Sequence, residues 1–302
     1  MHAWESIQET VDYIEDNIRK DIEINELASI AKLSPFYYQR LFTRLIKKPV
    51  REYIKLRKLA RASIDLKNKK KLVSIVSLEY GFLNHETFTR AFKNTYGITP
   101  LEYRKKDLEL DNFEKPDLLL NYVMVDEGVP LITEGLVLEY NKMTLDKEIR
   151  FIGVTGYFKF ESGKMSGERP GISGPALIWK NFFEEKNKIP NKKEPRMIGV
   201  SYHGDAKDGY STYFCGIEPD LNYKNSKLDQ FILPVREYLV CRFEAQSLYE
   251  LTTVAMSKVM KHTRFWLREH GLRADGFFPE IYPHIEKNDV IYMELWIPFI
   301  KR

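Results

Sequence analysis

Cysteine is nearly absent from these 302 residues, with Cys215 and Cys241 the two present. A chain of this size with so few cysteines and no apolar N-terminal segment is not a disulfide scaffold, and a cytoplasmic location is expected. Two separated cysteines and six scattered histidines show no metal-ligand spacing, so neither a metal nor a cofactor is expected. No apolar run approaches the roughly 20 residues that span a bilayer, which excludes a membrane-embedded reading. The length exceeds what one core usually holds, so two folded domains are expected.

Positive charge is unevenly spread. The whole chain carries +4, but residues 1–107 hold 21 Lys and Arg against 14 Asp and Glu, a net of +7. Residues 27–107 alone hold 19 against 6, a net of +13, while the remainder after 107 is at −3. A field of that sign attracts a polyanion and releases its counterions on contact. Charge by itself is equally consistent with a solvated basic surface.

The pattern inside the basic stretch decides between these. Tyr80-Gly81-Phe82-Leu83-Asn84 reads as a helix stopped at glycine, a tight turn, and a second helix opened by an asparagine cap. Phe88, Ala91, Phe92 and Tyr96 then recur on one face, leaving His85, Glu86, Thr87, Thr89, Arg90 and Lys93 on the other. An earlier copy places Ala28, Ala31 and Leu33 before Ser34-Pro35, followed by a helix to about Lys47. There Tyr38, Leu41, Phe42 and Leu45 face inward, and Phe36, Gln39, Arg40, Thr43 and Arg44 lie on or near the opposite side. Trp4, Ile7, Val11, Ile14 and Ile18 predict a first amphipathic helix, and Arg51 to Leu66 predicts a connecting one. These are two helix-turn-helix units in one all-α module, suited to two successive major grooves of double-stranded DNA.

Gln pairs bidentately with adenine and Arg with guanine, each good pair contributing about 1–3 kcal/mol of discrimination. Phe36 can instead be a core aromatic, and Arg40 and Arg90 can be solvated or bound only to phosphate. Lys93 suits a phosphate contact. Glu86 repels phosphate and reads DNA only by accepting from cytosine N4.

The string Tyr80-Gly81-Phe82, Phe88-x-Arg90-x-Phe92-Lys93 and Tyr96-Gly97-Ile98-Thr99-Pro100 with Tyr103-Arg104 resembles the signature of the AraC/XylS family of bacterial transcription regulators. The resemblance covers residues 1–106 and implies a DNA-binding domain that reads through Phe36, Gln39 and Arg40 in one unit and His85, Glu86, Thr87 and Arg90 in the other. It also implies RNA polymerase as a partner. One departure is Lys47, where the family often has glycine. A left-handed lysine there is strained, which leaves the end of that helix open.

Residues 107–147 turn acidic but keep Leu118-Leu119-Leu120, so a linker with short strands or packed loops is expected. From 148 to 302 the order strand, helix, strand, strand occurs twice, beginning at Ile149 and again at Val235. Ser247-x-x-Glu250 reads as a capping box for the second helix. Two such units make an α+β tandem βαββ domain, one antiparallel sheet with both helices on one face. On the last strand Tyr292, Glu294 and Trp296 alternate away from Met293, Leu295 and Ile297. A carboxylate between aromatics on the helix-free face is a candidate cation receptor, and its alternative is an ordinary solvent-facing acid. Phe278, Glu280 and Tyr282 repeat the theme on the neighbouring strand, and Tyr157, Trp179 and Tyr213 extend an aromatic wall, unless Trp179 is simply helix core.

This half resembles the gyrase-inhibitor-like effector-binding domain, most clearly in Tyr292-Met293-Glu294-Leu295-Trp296-Ile297-Pro298. The likeness implies a small hydrophobic or cationic effector, with Glu294 at the pocket acid, and an order of domains similar to Rob-type regulators. A non-enzymatic, effector-responsive transcription regulator of multidrug or stress genes is therefore expected. Two alternatives stay open for the second half: a small-molecule hydrolase using the same carboxylates, and a protein-interaction module.

Overall fold

The computed structural model describes residues 3–106, 108–118, 120, 123–133, 136–159, 170–190, 195–220, 223, 227–245, 250–283 and 292–302. The chain divides into two compact units, Met1–Val123 with Ser166–Ile172 and Met124–Met165 with Ser173–Arg302.

The first unit is helical: α1 (Ala3–Asp16), α2 (Ile24–Ile30), α3 (Pro35–Ile46), α4 (Val50–Leu66), α5 (Val73–Glu79), α6 (His85–Tyr96) and α7 (Pro100–Lys106). Caps set the starts. Ser34 Oγ accepts from the Tyr37 N–H at 3.3 Å and Asn84 Oδ1 from the Thr87 N–H at 2.8 Å. Thr99 and Glu102 form a capping box before α7, with both N–H groups satisfied reciprocally. The expected stripe Ile7, Val11 and Ile14 is buried against the same core as Tyr38, Phe42 and Tyr53. A second run of rings, Phe88, Phe92, Tyr96 and Tyr103, fills the space under α6, with centroid separations of 4.6–5.8 Å.

A buried ion pair ties α1 to α4. Arg57 grips Glu15 bidentately, Nε to Oε1 at 2.6 Å and Nη2 to Oε2 at 2.8 Å, and Tyr53 Oη donates to Oε1 at 3.1 Å. The third arm of Arg57 donates to the Phe113 carbonyl. Residues after α7 therefore do more than tether: Leu110, Phe113 and Leu118 are buried in this core, and β1 (Leu110–Asp111) pairs with β5 (Gly171–Ile172).

The two helix pairs share their turn chemistry. After α2, Lys32 adopts φ +55° and the Leu33 N–H donates to Ala28 O at 2.9 Å. After α5, Gly81 adopts φ +71° and the Phe82 N–H donates to Ser77 O at 3.0 Å. Each turn closes with the same six-to-one hydrogen bond. The open end of α3 is also settled: Lys47 takes φ +60° and donates to Thr43 O, as Gly97 at φ +79° does to Lys93 O at the end of α6.

The second unit is built on a sheet of β2 (Leu131–Thr133), β3 (Leu136–Thr144), β4 (Ile149–Lys159), β6 (Met197–Tyr202), β7 (Tyr210–Ile217), β8 (Asp229–Leu233), β9 (Glu237–Glu244), β11 (Phe277–Tyr282) and β12 (Tyr292–Lys301), with β10 (Leu272–Ala274) beside the end of β12. Its order is β2-β3-β9-β12-β11-β6-β7-β4-β8, antiparallel at each pairing. The repeat β4-α8-β6-β7, with α8 at Gly174–Lys186, gives strand order β4-β7-β6. The repeat β9-α9-β11-β12, with α9 at Met256–Glu269, gives β9-β12-β11. The equivalent strands β6 and β11 meet at the centre, which a two-fold relation between repeats requires. β3 and β8 extend the sheet at either flank, and β8 had no counterpart in the repeat pattern.

Directly opposed residues share a face, so the register maps the sheet. One row runs Tyr140, Cys241, Leu295, Glu280, Gly199, Cys215. Its two ends lie under the two helices: Tyr140 Oη meets His262 Nδ1 of α9 at 2.8 Å, and Cys215 clusters with Ile178 and Phe182 of α8. Both helices thus cover one face, as expected. A π-helical turn, Leu251–Ala255, leads into α9. The predicted capping serine, Ser247, lies outside the described residues.

Candidate nucleic-acid interface and effector site

On α3 the buried positions are Tyr38, Phe42 and Ile46, and the opposite face is open. Phe36 is 75% exposed and Gln39, Arg40, Thr43 and Arg44 are exposed beside it, so Phe36 is not a core aromatic. Gln39 Nε2 donates to Pro35 O at 3.2 Å, a weak tether that a base edge can replace. On α6 the buried set is Phe88, Phe92 and Tyr96. Glu86, Arg90 and Lys93 are exposed, and His85 and Thr87 are half-buried. Thr89 departs from the expected open face: its hydroxyl is buried without a partner among the described residues, so it belongs to the packed side.

The two helices correspond at an offset of fifty residues, Tyr38 with Phe88, Phe42 with Phe92 and Arg40 with Arg90, and the offset carries on into the helices that follow them, Tyr53 of α4 with Tyr103 of α7. Neither Arg40 nor Arg90 has an ion-pair partner among the described residues. One scaffold thus presents two unlike polar faces, each with an arginine at the same helical position.

In the second unit the proposed aromatic-acid set separates onto two faces. The register opposes Glu280 to Leu295 and Ile281 to Glu294, which puts Glu280 and Tyr282 on the helix side and Tyr292, Glu294 and Trp296 on the other. Glu294 is not a free receptor. Trp296 Nε1 donates to its Oε2 at 2.8 Å, and across the ladder stands Arg242, whose guanidinium lies 4.0 Å from the Tyr292 ring centroid. The cation of that face is the chain's own. Tyr157 also stands apart, 56% exposed with its hydroxyl donating to Asp205 at 3.1 Å.

The helix face holds the convergent cluster. Tyr213 Oη donates to Glu280 Oε2 at 2.7 Å, Tyr282 Oη to the same oxygen at 2.8 Å, and Trp179 Nε1 to Tyr213 Oη at 3.0 Å. Trp179 also packs edge-on against Tyr282 and stacks on the exposed Phe183, so it joins this cluster rather than only the core of its helix. Glu280 Oε1 has no protein partner among the described residues. Burial raises the Glu280 carboxyl above the ordinary carboxylate range, against the pull of the two phenols. Burial, then the neighbouring carboxylate, holds Tyr213 and Tyr282 well above the usual phenol range, so both remain donors.

Gly199 makes this arrangement possible. A Cβ there would lie 2.2 Å from Tyr213 Oη and 2.8 Å from Glu280 Oε2. Gly199→Ala is expected to cost about 1–3 kcal/mol by overpacking and to part Tyr213 from Glu280, measured as a lower unfolding temperature. An unchanged transition would mean that the cluster yields freely. A glycine inside a strand was the sequence signal for this close approach. The stacking of Phe183 on Trp179 had no such signal.

Residues 27–106 match the family described as Helix-turn-helix domain. The Transposon Tn10 TetD protein of Escherichia coli is 31% identical over 102 residues, covering 34% of this chain and 74% of TetD. The chain belongs to the AraC family of transcriptional regulators. Regulatory protein SoxS of Salmonella typhimurium is 27% identical over 100 residues, 33% of this chain and 94% of SoxS. An AraC-type transcriptional regulator structure from Chromobacterium violaceum covers 34% of this chain and 91% of its own at 25% identity, with a TM-score of 0.33. The chain spans about a third of another relative, the HTH-type regulator YbfP of Bacillus subtilis, at 31% identity. These likenesses, each over about a third of the chain, concern its AraC-type part. Among the described residues no helix is long and apolar enough to cross a membrane, and no group of three or more metal-ligating side chains forms.

Proposed function

We propose that the protein is an effector-responsive regulator that reads double-stranded DNA with α3 and α6 in two successive major grooves and binds a small hydrophobic cation at Glu280. The observation that carries the DNA reading is the matched pair of open helix faces, with Arg40 and Arg90 at equivalent positions and without ion-pair partners among the described residues. Phe36, Gln39, Arg40 and Arg44 serve one groove, and His85, Glu86, Thr87, Arg90 and Lys93 the other, with Lys93 on phosphate. Because the faces differ, one molecule recognises an asymmetric site, and RNA polymerase is the partner through which transcription responds.

The effector reading moves the acid from Glu294 to Glu280. A half-buried carboxylate with one oxygen unmatched among the described residues, two phenols and an indole gives an organic cation both charge and ring faces. The resemblance to gyrase-inhibitor-like domains, with residues 148–302 as the effector domain, supports the same reading. Ligand alters DNA affinity only as far as it binds the two functional states differently.

Arg90→Ala is expected to lower affinity for the specific duplex about 5- to 150-fold, the loss of one bidentate base contact, while lipophilic-cation binding is unchanged. Equal retention of specific and scrambled duplex, both as in the unaltered protein, would contradict the role given to α6. Steady turnover of a bound compound would favour the hydrolase reading instead.

A further inference from the structure

We infer that Lys32 and Lys47 contact DNA phosphates at the two ends of α3, and that the first helix pair keeps lysine at two left-handed backbone positions for that contact. The inference rests on the DNA-reading role proposed above for α3. Lys32 lies in the turn before α3 at φ +55°, and Lys47 closes the helix at φ +60°. Left-handed backbone presses the Cβ of an L-residue against the following carbonyl, so glycine is the unstrained occupant.

The molecule contains its own control. Gly81 and Gly97 hold the corresponding places in the second helix pair, at φ +71° and +79°, with the same backbone hydrogen bonds. The turn geometry therefore needs no side chain at either place, and lysine there adds strain without adding fold. Strained backbone persists where function uses it. Both lysines are exposed, and neither ammonium group has a hydrogen-bond or ion-pair partner among the described residues, whereas that of the adjacent Lys48 is held by Glu52 at 3.3 Å.

Their placement fits a duplex. The 12 residues of α3 make a rod of about 18 Å, somewhat longer than the roughly 12 Å width of a major groove. The groove admits a helix by its diameter of about 10–12 Å, and the two ends of a rod of this length come out beside the flanking phosphates. Ammonium groups on flexible four-carbon stems serve as point charges for phosphate.

The test uses the full chain and a duplex selected from a random pool, with a scrambled duplex beside it, titrated over a range of NaCl concentrations. Lys32→Gly and Lys47→Gly are each expected to raise the unfolding temperature by several degrees. Each should also flatten the slope of log K against log[salt] by about 0.9, the double variant by about 1.8. Affinity should fall alike on both duplexes, leaving their ratio unchanged. A double variant with intact selectivity and the original salt slope overturns the inference alone, as does a lowered unfolding temperature in either single variant. If the unaltered protein shows no preference for the selected duplex, the reading of α3 and α6 fails and this inference with it.

Discussion

Arg57→Ala is expected to destabilise the helical unit by about 3–5 kcal/mol, because it leaves the Glu15 carboxylate buried without its partner. Both side chains are largely out of water, at 9% and 4% exposure, and the pair is bidentate. Removing the guanidinium also orphans the Phe113 carbonyl and so loosens the segment after α7 from the core. Arg61, at 3.3 Å from Glu15 Oε2 and 46% exposed, is too wet to take over. Replacing both partners, Arg57→Met with Glu15→Leu, should recover most of the loss, since two matched apolar groups carry no desolvation cost. A single-variant loss below 1 kcal/mol in urea titrations would contradict this picture of the core.

The same pair sets an acid limit. Burial alone would raise the Glu15 carboxyl, but the hydrogen bonds and charge of Arg57, with Arg61 and Tyr53 behind them, bring it below its ordinary value. A lowered folded pKa means that the unfolded chain holds more protons in the window between the two values, so stability rises with pH there. The contribution is present above the ordinary carboxylate range and is lost as pH falls through the lowered value. Arg57→Ala should flatten this part of the acid-unfolding profile.

Glu280→Gln has the second large effect, and its two readouts move in opposite directions. Affinity for a lipophilic cation is expected to fall about 10- to 100-fold, the loss of a charge-assisted contact in a half-buried site. Stability of the ligand-free protein should rise at neutral pH. The folded pKa of Glu280 is raised by burial, so the folded state holds more protons in the window just above the ordinary carboxylate range. Stability is therefore lost as pH increases through it, and the amide removes that loss. Cation binding by the unaltered protein should accordingly release protons on the acid side of neutrality. Isothermal titration in buffers of different ionisation enthalpy measures this directly. Full affinity in Glu280→Gln, with loss in Glu294→Gln, would return the site to the opposite face.

What was legible in the sequence follows from the range of the interactions involved. The helices of the first unit announced themselves through local signals: Ser34, Asn84 and Thr99 at the caps, Gly81 and Gly97 at the ends, and aromatic spacing for the core. The repeat strand, helix, strand, strand was equally readable, because alternation and helical period are local. The pocket was not. Whether Glu280 shares a face with Glu294 depends on the register of β11 against β12, and a shift of one residue reverses the answer. Nothing within either strand carries that information. Phe36 was ambiguous for a related reason, since an aromatic at the start of a helix is apolar enough for a core and flat enough for DNA, and only its 75% exposure decides. The strain at Lys32 was invisible because a lysine in a turn looks like any solvated charge until its φ is known.

If two unlike helices of one chain read two separate stretches of DNA, each must leave its own mark on the sequences bound. Selection of bound sequences from a random duplex pool tests it most directly, performed with the unaltered protein, Arg40→Ala and Arg90→Ala. The unaltered protein should recover two different short motifs about 10 base pairs apart, centre to centre, with Arg40→Ala relaxing one motif and Arg90→Ala the other. A single motif, or two that respond identically to both substitutions, would contradict it.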